Sequence, residues 1–284
     1  MKVIPKKRFG QHFLRDSGVL QRILETLSPG PDETVVEVGA GDGALTRVLA
    51  PRASRLIAIE IDRECHAGLG DVLAPWPGAI LVPQDILDID PGRLPGLLPG
   101  APCVVVGNLP YNAATAILSH FLSATAGFER MVFMVQLEVA QRITAIPGSK
   151  TYGYLSVFCQ YHATVRLCFK VDPACFVPRP KVMSAVVDLR PHPHLAVRGA
   201  DAPALVVARA AFAHRRKTLA NSLARDARLG PVSRSLLEQA GIEGRLRAES
   251  LDVGAFIKLG SILESRYGSG AGPRAAAPGG ESRL

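Results

Sequence analysis

The stretch "VVVGNLPYNAATAIL", residues 104–118, crowds unusual chemistry into one short loop. A run of valines reads as a buried strand, and it delivers Asn108, Leu109, Pro110 and Tyr111 before a helical pattern begins. A side-chain amide offers a hydrogen-bond acceptor, proline fixes the loop and withholds a competing N–H, and an aromatic ring offers a stacking face. Residues of these types also build ordinary strand-end turns, so their meaning depends on what else reaches the same crevice.

A second candidate lies upstream in "VVEVGAGDGALT". Glycines at 39, 41 and 43 directly after a strand let the backbone turn tightly and approach a ligand, and the following helix start is expected to supply free N–H groups. A nucleotide-like cofactor is the natural occupant. Gly39, Gly41 and Ala44 also satisfy the G-x-G-x-x-G/A dinucleotide pattern, and Glu60 follows at about the spacing of a ribose-binding acid. A nicotinamide enzyme is therefore an open alternative from this motif. Glu60 in "IAIEID" could accept hydrogen bonds from both ribose hydroxyls, and Asp85 in "VPQDI" could receive an adenine amino group.

The elements that must position these residues follow from the hydrophobic pattern. "DSGVLQRILETLSPG" has a helical stripe at residues 19, 20, 23, 24 and 27, with Asp16 or Ser17 as cap and Pro29-Gly30 as stop. Short β-branched runs at 34–38, 55–61, 79–82, 103–107 and 131–135 alternate with helical segments, which predicts parallel strands covered on both faces. Runs at 163–171 and 184–190 could extend the sheet. The fold class is thus α/β, a Rossmann-like mostly parallel sheet, in residues 1–190, with a basic N-terminal arm. Residues 191–267 read as a small all-helical domain, and the Gly, Pro, Ser and Ala-rich stretch 268–284 as a disordered tail.

Bulk properties narrow the class further. With 284 residues, 48% of them hydrophobic, the chain can bury a substantial core. No segment is long and apolar enough to span a bilayer and the N-terminus lacks a signal-peptide core, so a cytoplasmic location away from membranes is expected. Five scattered cysteines have no paired spacing and read as core residues; no metal site is expected. The net charge of +8 favours a polyanionic partner.

At the fourth strand the residues resemble the S-adenosylmethionine-dependent adenine-N6 methyltransferases, whose motif in the ribosomal RNA branch is N-L-P-Y. "RFGQHFLRD" (8–16), "CFVPRPKVMSAVV" (175–187), "AFAHRRKTLANSL" (211–223) and "RAESL" (247–251) are similar, in order, to motifs of the KsgA-type small-subunit ribosomal RNA adenine dimethyltransferases. The likeness runs from about residue 6 to 264. It departs at Ala40, where many relatives carry proline, and finds no counterpart for the tail.

The resemblance implies S-adenosylmethionine as cofactor, bound by His12, Leu14, Gly39, Gly41, Glu60, Asp85 and Asn108. It implies that Asn108, with a backbone carbonyl near Pro110 in the Asn108-Leu109-Pro110-Tyr111 loop, accepts hydrogen bonds from the target amino group. Tyr111 would stack on the base and Phe176 would form the other wall of its pocket. The implied substrate is two adjacent adenosines in the 3′-terminal hairpin loop of small-subunit rRNA, within the 30S subunit or its precursor, met by a monomeric enzyme. Lys6, Lys7 and Arg8 in the N-terminal arm, and Arg209, Arg215, Arg216 and Lys217 in the helical domain, flank that pocket and are expected to contact phosphates. Two further alternatives stay open: a large-subunit adenine methyltransferase of the macrolide-resistance type, and a noncatalytic RNA-binding assembly factor.

Overall fold

The computed structural model of the chain describes residues 11–94, 102–124, 127–192, 202–214 and 216–267. Lys6, Lys7, Arg8, Arg215 and the 268–284 tail lie outside the described residues.

The first helix, α1 (Ser17–Leu27), forms where the stripe predicts it. Asp16 caps it by accepting from the Val19 N–H at 2.8 Å, and Ser28 ends it in a left-handed conformation. Its buried face, Val19, Leu20, Ile23, Leu24 and Leu27, packs into the sheet core.

A short strand β1 (Phe13–Leu14) precedes α1, and the main sheet then begins with β2 (Thr34–Val38), β3 (Arg55–Ile59) and β4 (Ala79–Val82). It continues through β5 (Cys103–Asn108), β6 (Phe128–Gln136), β7 (Ala163–Val171) and β9 (Ser184–Pro191), while β8 (Phe176–Val177) pairs with β1. The seven strands run in the order β4-β3-β2-β5-β6-β9-β7. The first five in that order are parallel, and β9 enters antiparallel between β6 and β7. The two late runs thus extend the sheet as an antiparallel pair. Helices α2 (Thr46–Leu49), α3 (Arg63–Leu73), α4 (Ala114–Leu122) and α5 (Leu137–Ile143) lie between strands, as expected of a Rossmann-like α/β fold.

The order in which successive strands are added across the sheet reverses between β2 and β5, and in such sheets ligands bind beyond the carboxyl ends of the strands at that switch. Every residue of β2, and Cys103 through Gly107 in β5, is shielded from solvent. Gly107 is needed there because a side chain at that position would meet the Val38 carbonyl oxygen at 2.6 Å.

The chain separates into two compact units, one comprising residues 1–144 and 159–199, the other 145–158 and 200–284. The second boundary falls within α6 (Tyr154–His162). The second unit carries α7 (Pro203–Phe212), α8 (Leu219–Leu223), α9 (Ser233–Ala240) and α10 (Val253–Tyr267). Gly260 of α10 lets that helix approach α7 closely, since a Cβ there would lie 2.3 Å from the Ala204 nitrogen. Segment 145–158 joins this unit through long-range contacts. The Tyr152 hydroxyl donates to the Leu251 carbonyl at 2.9 Å, and its ring packs edge-on against Phe212. A partition at residue 190 omits this segment because partners 99 residues apart leave no local pattern.

Candidate active site

The loop after β2 needs its glycines: Gly39, Gly41 and Gly43 all have φ between 58° and 81°. At Gly41 a Cβ would also lie 3.0 Å from the Phe13 ring. The N–H groups of this loop are turned inward. Gly39 and Ala40 donate to the Ile59 carbonyl, Gly43 to the Ala40 carbonyl, and Gly41 to Glu60 Oε2 at 2.7 Å. The helix that follows is only Thr46–Leu49. Gly39, Ala40 and Gly41 thus spend their donors on β3 and Glu60, so those three N–H groups are not offered to a ligand.

Glu60 is 5% exposed, just past the end of β3. Its second oxygen accepts from the Asp62 N–H at 2.7 Å, so the carboxylate is held at both oxygens. Burial raises its pKa, and the hydrogen bonds from Asp62 and Gly41 oppose that shift. Asp85, beyond β4, caps a turn through the Leu87 N–H at 3.0 Å and is half-buried. Glu60, Asp85, Gly39, Gly41, His12, Leu14 and the Asn108–Tyr111 loop all line one cavity of about 250 Å³.

The segment Gln11–Arg15 is fastened across this cavity. Gln11 donates to Asp62 at 3.1 Å, Arg15 pairs with Asp42, and Phe13 and Leu14 pair with Val177 and Phe176. The His12 carbonyl accepts from Asn108 Nδ2 at 2.9 Å. That bond takes one of the two amide hydrogens and fixes the orientation of the group, leaving Oδ1 as the acceptor the side chain can offer. His12 Nδ1–H donates to the Pro178 carbonyl at 2.7 Å, and its ring lies 5.2 Å from that of Tyr111, tilted by 31°. One face of Tyr111 is therefore backed. Its hydroxyl shares a 2.7 Å hydrogen bond with Ser184, and burial raises its pKa. Leu109 is buried with its N–H on the Met134 carbonyl, and the Pro110 carbonyl accepts from Ala113.

Phe176 is placed elsewhere. It is 2% exposed within the hydrophobic core and does not line the cavity. Strand alternation is the reason: pairing with Leu14 turns Phe176 inward and its neighbour Val177 outward. As the second wall of a base pocket, Phe176 rests on the family resemblance alone.

Glu37 is a site residue that the strand pattern hides. It sits in β2 among valines, 1% exposed, and lines the cavity. Burial pushes its pKa up to about 8; nearby Glu60 adds to the shift and Thr46 opposes it. Thr46 closes no well-formed side-chain hydrogen bond, however, since Thr46 Oγ1 and Glu37 Oε2 are both without partners. A single acid in an otherwise apolar strand was the available signal.

These features fit a small nucleoside-bearing cation. An acid beyond β3 and another beyond β4 suit ribose and adenine, and Glu37 turns a buried carboxyl with one unpartnered oxygen toward the same cavity. In the helical unit, Arg216 and Lys217 are exposed, and neither has a carboxylate partner among the described residues. Arg209, also exposed, donates to the Tyr154 hydroxyl at 3.2 Å and lies over that ring.

Comparison with known proteins points the same way. The family described as ribosomal RNA adenine dimethylase matches residues 4–264. Ribosomal RNA small subunit methyltransferase A of Legionella pneumophila (strain Lens) is 40% identical over 267 residues, covering 93% of this chain and 100% of that protein. The protein of the same name from Streptococcus pneumoniae (strain ATCC BAA-255 / R6) is 38% identical, covering 92% of each. Among solved structures, a dimethyladenosine transferase from Plasmodium falciparum shares the fold at a TM-score of 0.78 and 24% identity, over 89% of this chain and 98% of that one. The 23S rRNA methyltransferase ErmE superimposes at 0.68 with 30% identity, over 89% and 99%. With its crevice built from matching motifs and the family spanning nearly all its described residues, the chain belongs to the ribosomal RNA adenine dimethylase family.

Proposed function

We propose that the protein transfers methyl groups from S-adenosylmethionine to the N6 atoms of two adjacent adenosines in the 3′-terminal hairpin loop of small-subunit rRNA. One observation carries this reading: the Asn108 amide is oriented by the His12 carbonyl so that its oxygen, beside a backed Tyr111 ring, is the acceptor offered at the cofactor crevice. An exocyclic adenine nitrogen is a poor nucleophile because its lone pair is delocalised into the ring. Acceptors aimed at its hydrogens favour the geometry in which that lone pair can attack.

S-adenosylmethionine, when bound, supplies an electrophilic methyl group. Glu60 and Asp85 would hold its ribose and adenine, with Leu14 and Gly39 shaping the wall and Glu37 placing a carboxyl near its charge. Asn108 positions the target amino group, and Tyr111 holds the extruded base by stacking on its open face. Catalysis is then positioning and electrostatics, with no covalent intermediate on the protein. Single-stranded loop adenosines suit such a site because they cost little to unstack.

The exposed Arg216 and Lys217, joined by Arg209 and Arg215, would contact phosphates, as would the N-terminal cations Lys6, Lys7 and Arg8. We read the natural substrate as the 30S subunit or its precursor, met in the cytoplasm by a monomeric enzyme. No helix among the described residues is long and apolar enough to cross a membrane.

The test is to incubate the protein with labelled S-adenosylmethionine and unmethylated ribosomal subunits and to map the modified nucleotides. Label on two adjacent small-subunit adenosines is expected. The 30% identity to ErmE motivates a second reading, and label confined to large-subunit RNA would establish it instead. No label at all would favour a noncatalytic assembly factor.

A further inference from the structure

Residues Val177 to Met183, the last residue of β8 and its connection to β9, carry an uncommon mixture. Val177, Val182 and Met183 are 53%, 46% and 37% exposed, while Arg179 and Lys181 are exposed cations on either side of the buried Pro180. The loop is fastened to the candidate site at both ends. The Pro178 carbonyl holds His12, the Met183 carbonyl accepts from the Leu137 N–H at 2.9 Å, and the adjoining Ser184 holds the Tyr111 hydroxyl.

Apolar side chains kept in water on a fixed loop, next to cations, match a ligand with flat apolar faces and a charged backbone. An unstacked RNA strand is such a ligand. When one adenosine is extruded onto Tyr111, the nucleotides beside it lose a stacking neighbour and expose a base face. Lys181 has no carboxylate partner among the described residues, and Arg179 faces Asp172 across 3.7 Å with both side chains mostly exposed, a weak pair that a phosphate can replace.

We propose that the 177–183 loop receives the single-stranded nucleotides flanking the target adenosine, with Val182 and Met183 against a neighbouring base and Arg179 and Lys181 on the phosphates. This rests on the reading of the crevice as an RNA adenosine site. It assigns the loop to choosing which unstacked strand is presented, while the Asn108 loop acts on the base itself.

The experiment compares wild type with Val182→Ser/Met183→Ser, Val182→Leu/Met183→Leu and Lys181→Ala on unmethylated small subunits. Single-turnover methyl transfer, binding across a salt series, calorimetric affinity for S-adenosylmethionine and a melting curve are recorded for each. The serine pair should slow transfer at limiting subunit concentration by roughly 5- to 100-fold, the range for losing a base-stacking contact, and the leucine pair should recover most of it. Lys181→Ala should flatten the slope of log affinity against log salt by up to about 0.7. Cofactor affinity and melting should not change. Unaltered transfer and salt slope in these variants would overturn the proposal, as would losses that track melting or cofactor affinity. A wild type that labels no small-subunit adenosine overturns the functional reading, and the loop's assignment with it.

Discussion

The cofactor crevice and the basic surface of the helical unit use charge in opposite ways. In the crevice, each oxygen of Glu60 is tied to a backbone N–H, Asn108 is oriented by a backbone carbonyl, and Glu37 is sealed from solvent. In the helical unit, Arg216 and Lys217 stand in water with no carboxylate partner among the described residues. A group that must be aimed at one atom has to be fixed before the ligand arrives, because orientation is what it contributes. A group that neutralises a phosphate acts through release of counterions and works well on a mobile stem. Substitutions in the first region should therefore change rate or cofactor affinity by large factors, and those in the second should change salt dependence gradually.

The largest effect tests the fixed region. Asn108→Ala should reduce methyl transfer on the order of a hundredfold or more, as loss of an oriented polar group in a water-excluded site does. Subunit affinity should hardly change. Equal losses in rate and affinity would show that Asn108 supports the interface and would blur the distinction between the two regions.

Next comes Glu60→Ala, which strands the Gly41 and Asp62 N–H groups and removes the ribose acceptor. Affinity for S-adenosylmethionine should fall by roughly 1.5–3 kcal/mol, the usual worth of hydrogen bonds to a charged group. Calorimetry with undiminished affinity would remove that role from Glu60.

Glu37 gives a pH signature that no exposed cation can give. Its folded pKa, about 8, is raised above the ordinary carboxylate value. The folded state thus holds a proton that the unfolded chain releases, so stability falls as pH rises through the window from about 4.5 to 8. In Glu37→Gln that contribution to the slope should vanish, and the variant should melt higher than wild type at pH 9. Parallel melting curves of the two proteins from pH 6 to 9 would mean that Glu37 is ionised throughout.

The smallest effect per residue belongs to the exposed region. Arg216→Ala and Lys217→Ala should each flatten the dependence of log affinity on log salt by up to about 0.7–0.9, with melting and cofactor binding intact. A lowered melting temperature with an unchanged slope would make them structural residues and would end the contrast drawn between the units.

The order of elements and the crevice's main residues were legible along the chain. Strands at 34–38, 79–82 and 163–171 match the apolar runs residue for residue, and the α1 stripe and Asp16 cap are local patterns. Such features are set by neighbours within a turn or a strand, which the sequence displays directly. The strand expected at 55–61 stops at Ile59 because Glu60 turns to meet Gly41, a partner 19 residues away.

By itself, then, the sequence determined the alternation of strands and helices, the loops that must lie at strand ends, and a family of motifs naming Asn108, Tyr111, Glu60 and Asp85. Tertiary structure alone decided the rest. It placed Phe176 in the core and Val177 in solvent, consumed the glycine-loop N–H groups on Glu60 and Ile59, exposed the acid hidden in "TVVEV" as a cavity carboxyl, and attached 145–158 to the helical unit. Each of these depends on contacts between segments far apart in the chain, where closure and strand register, not local propensity, fix which face a side chain presents.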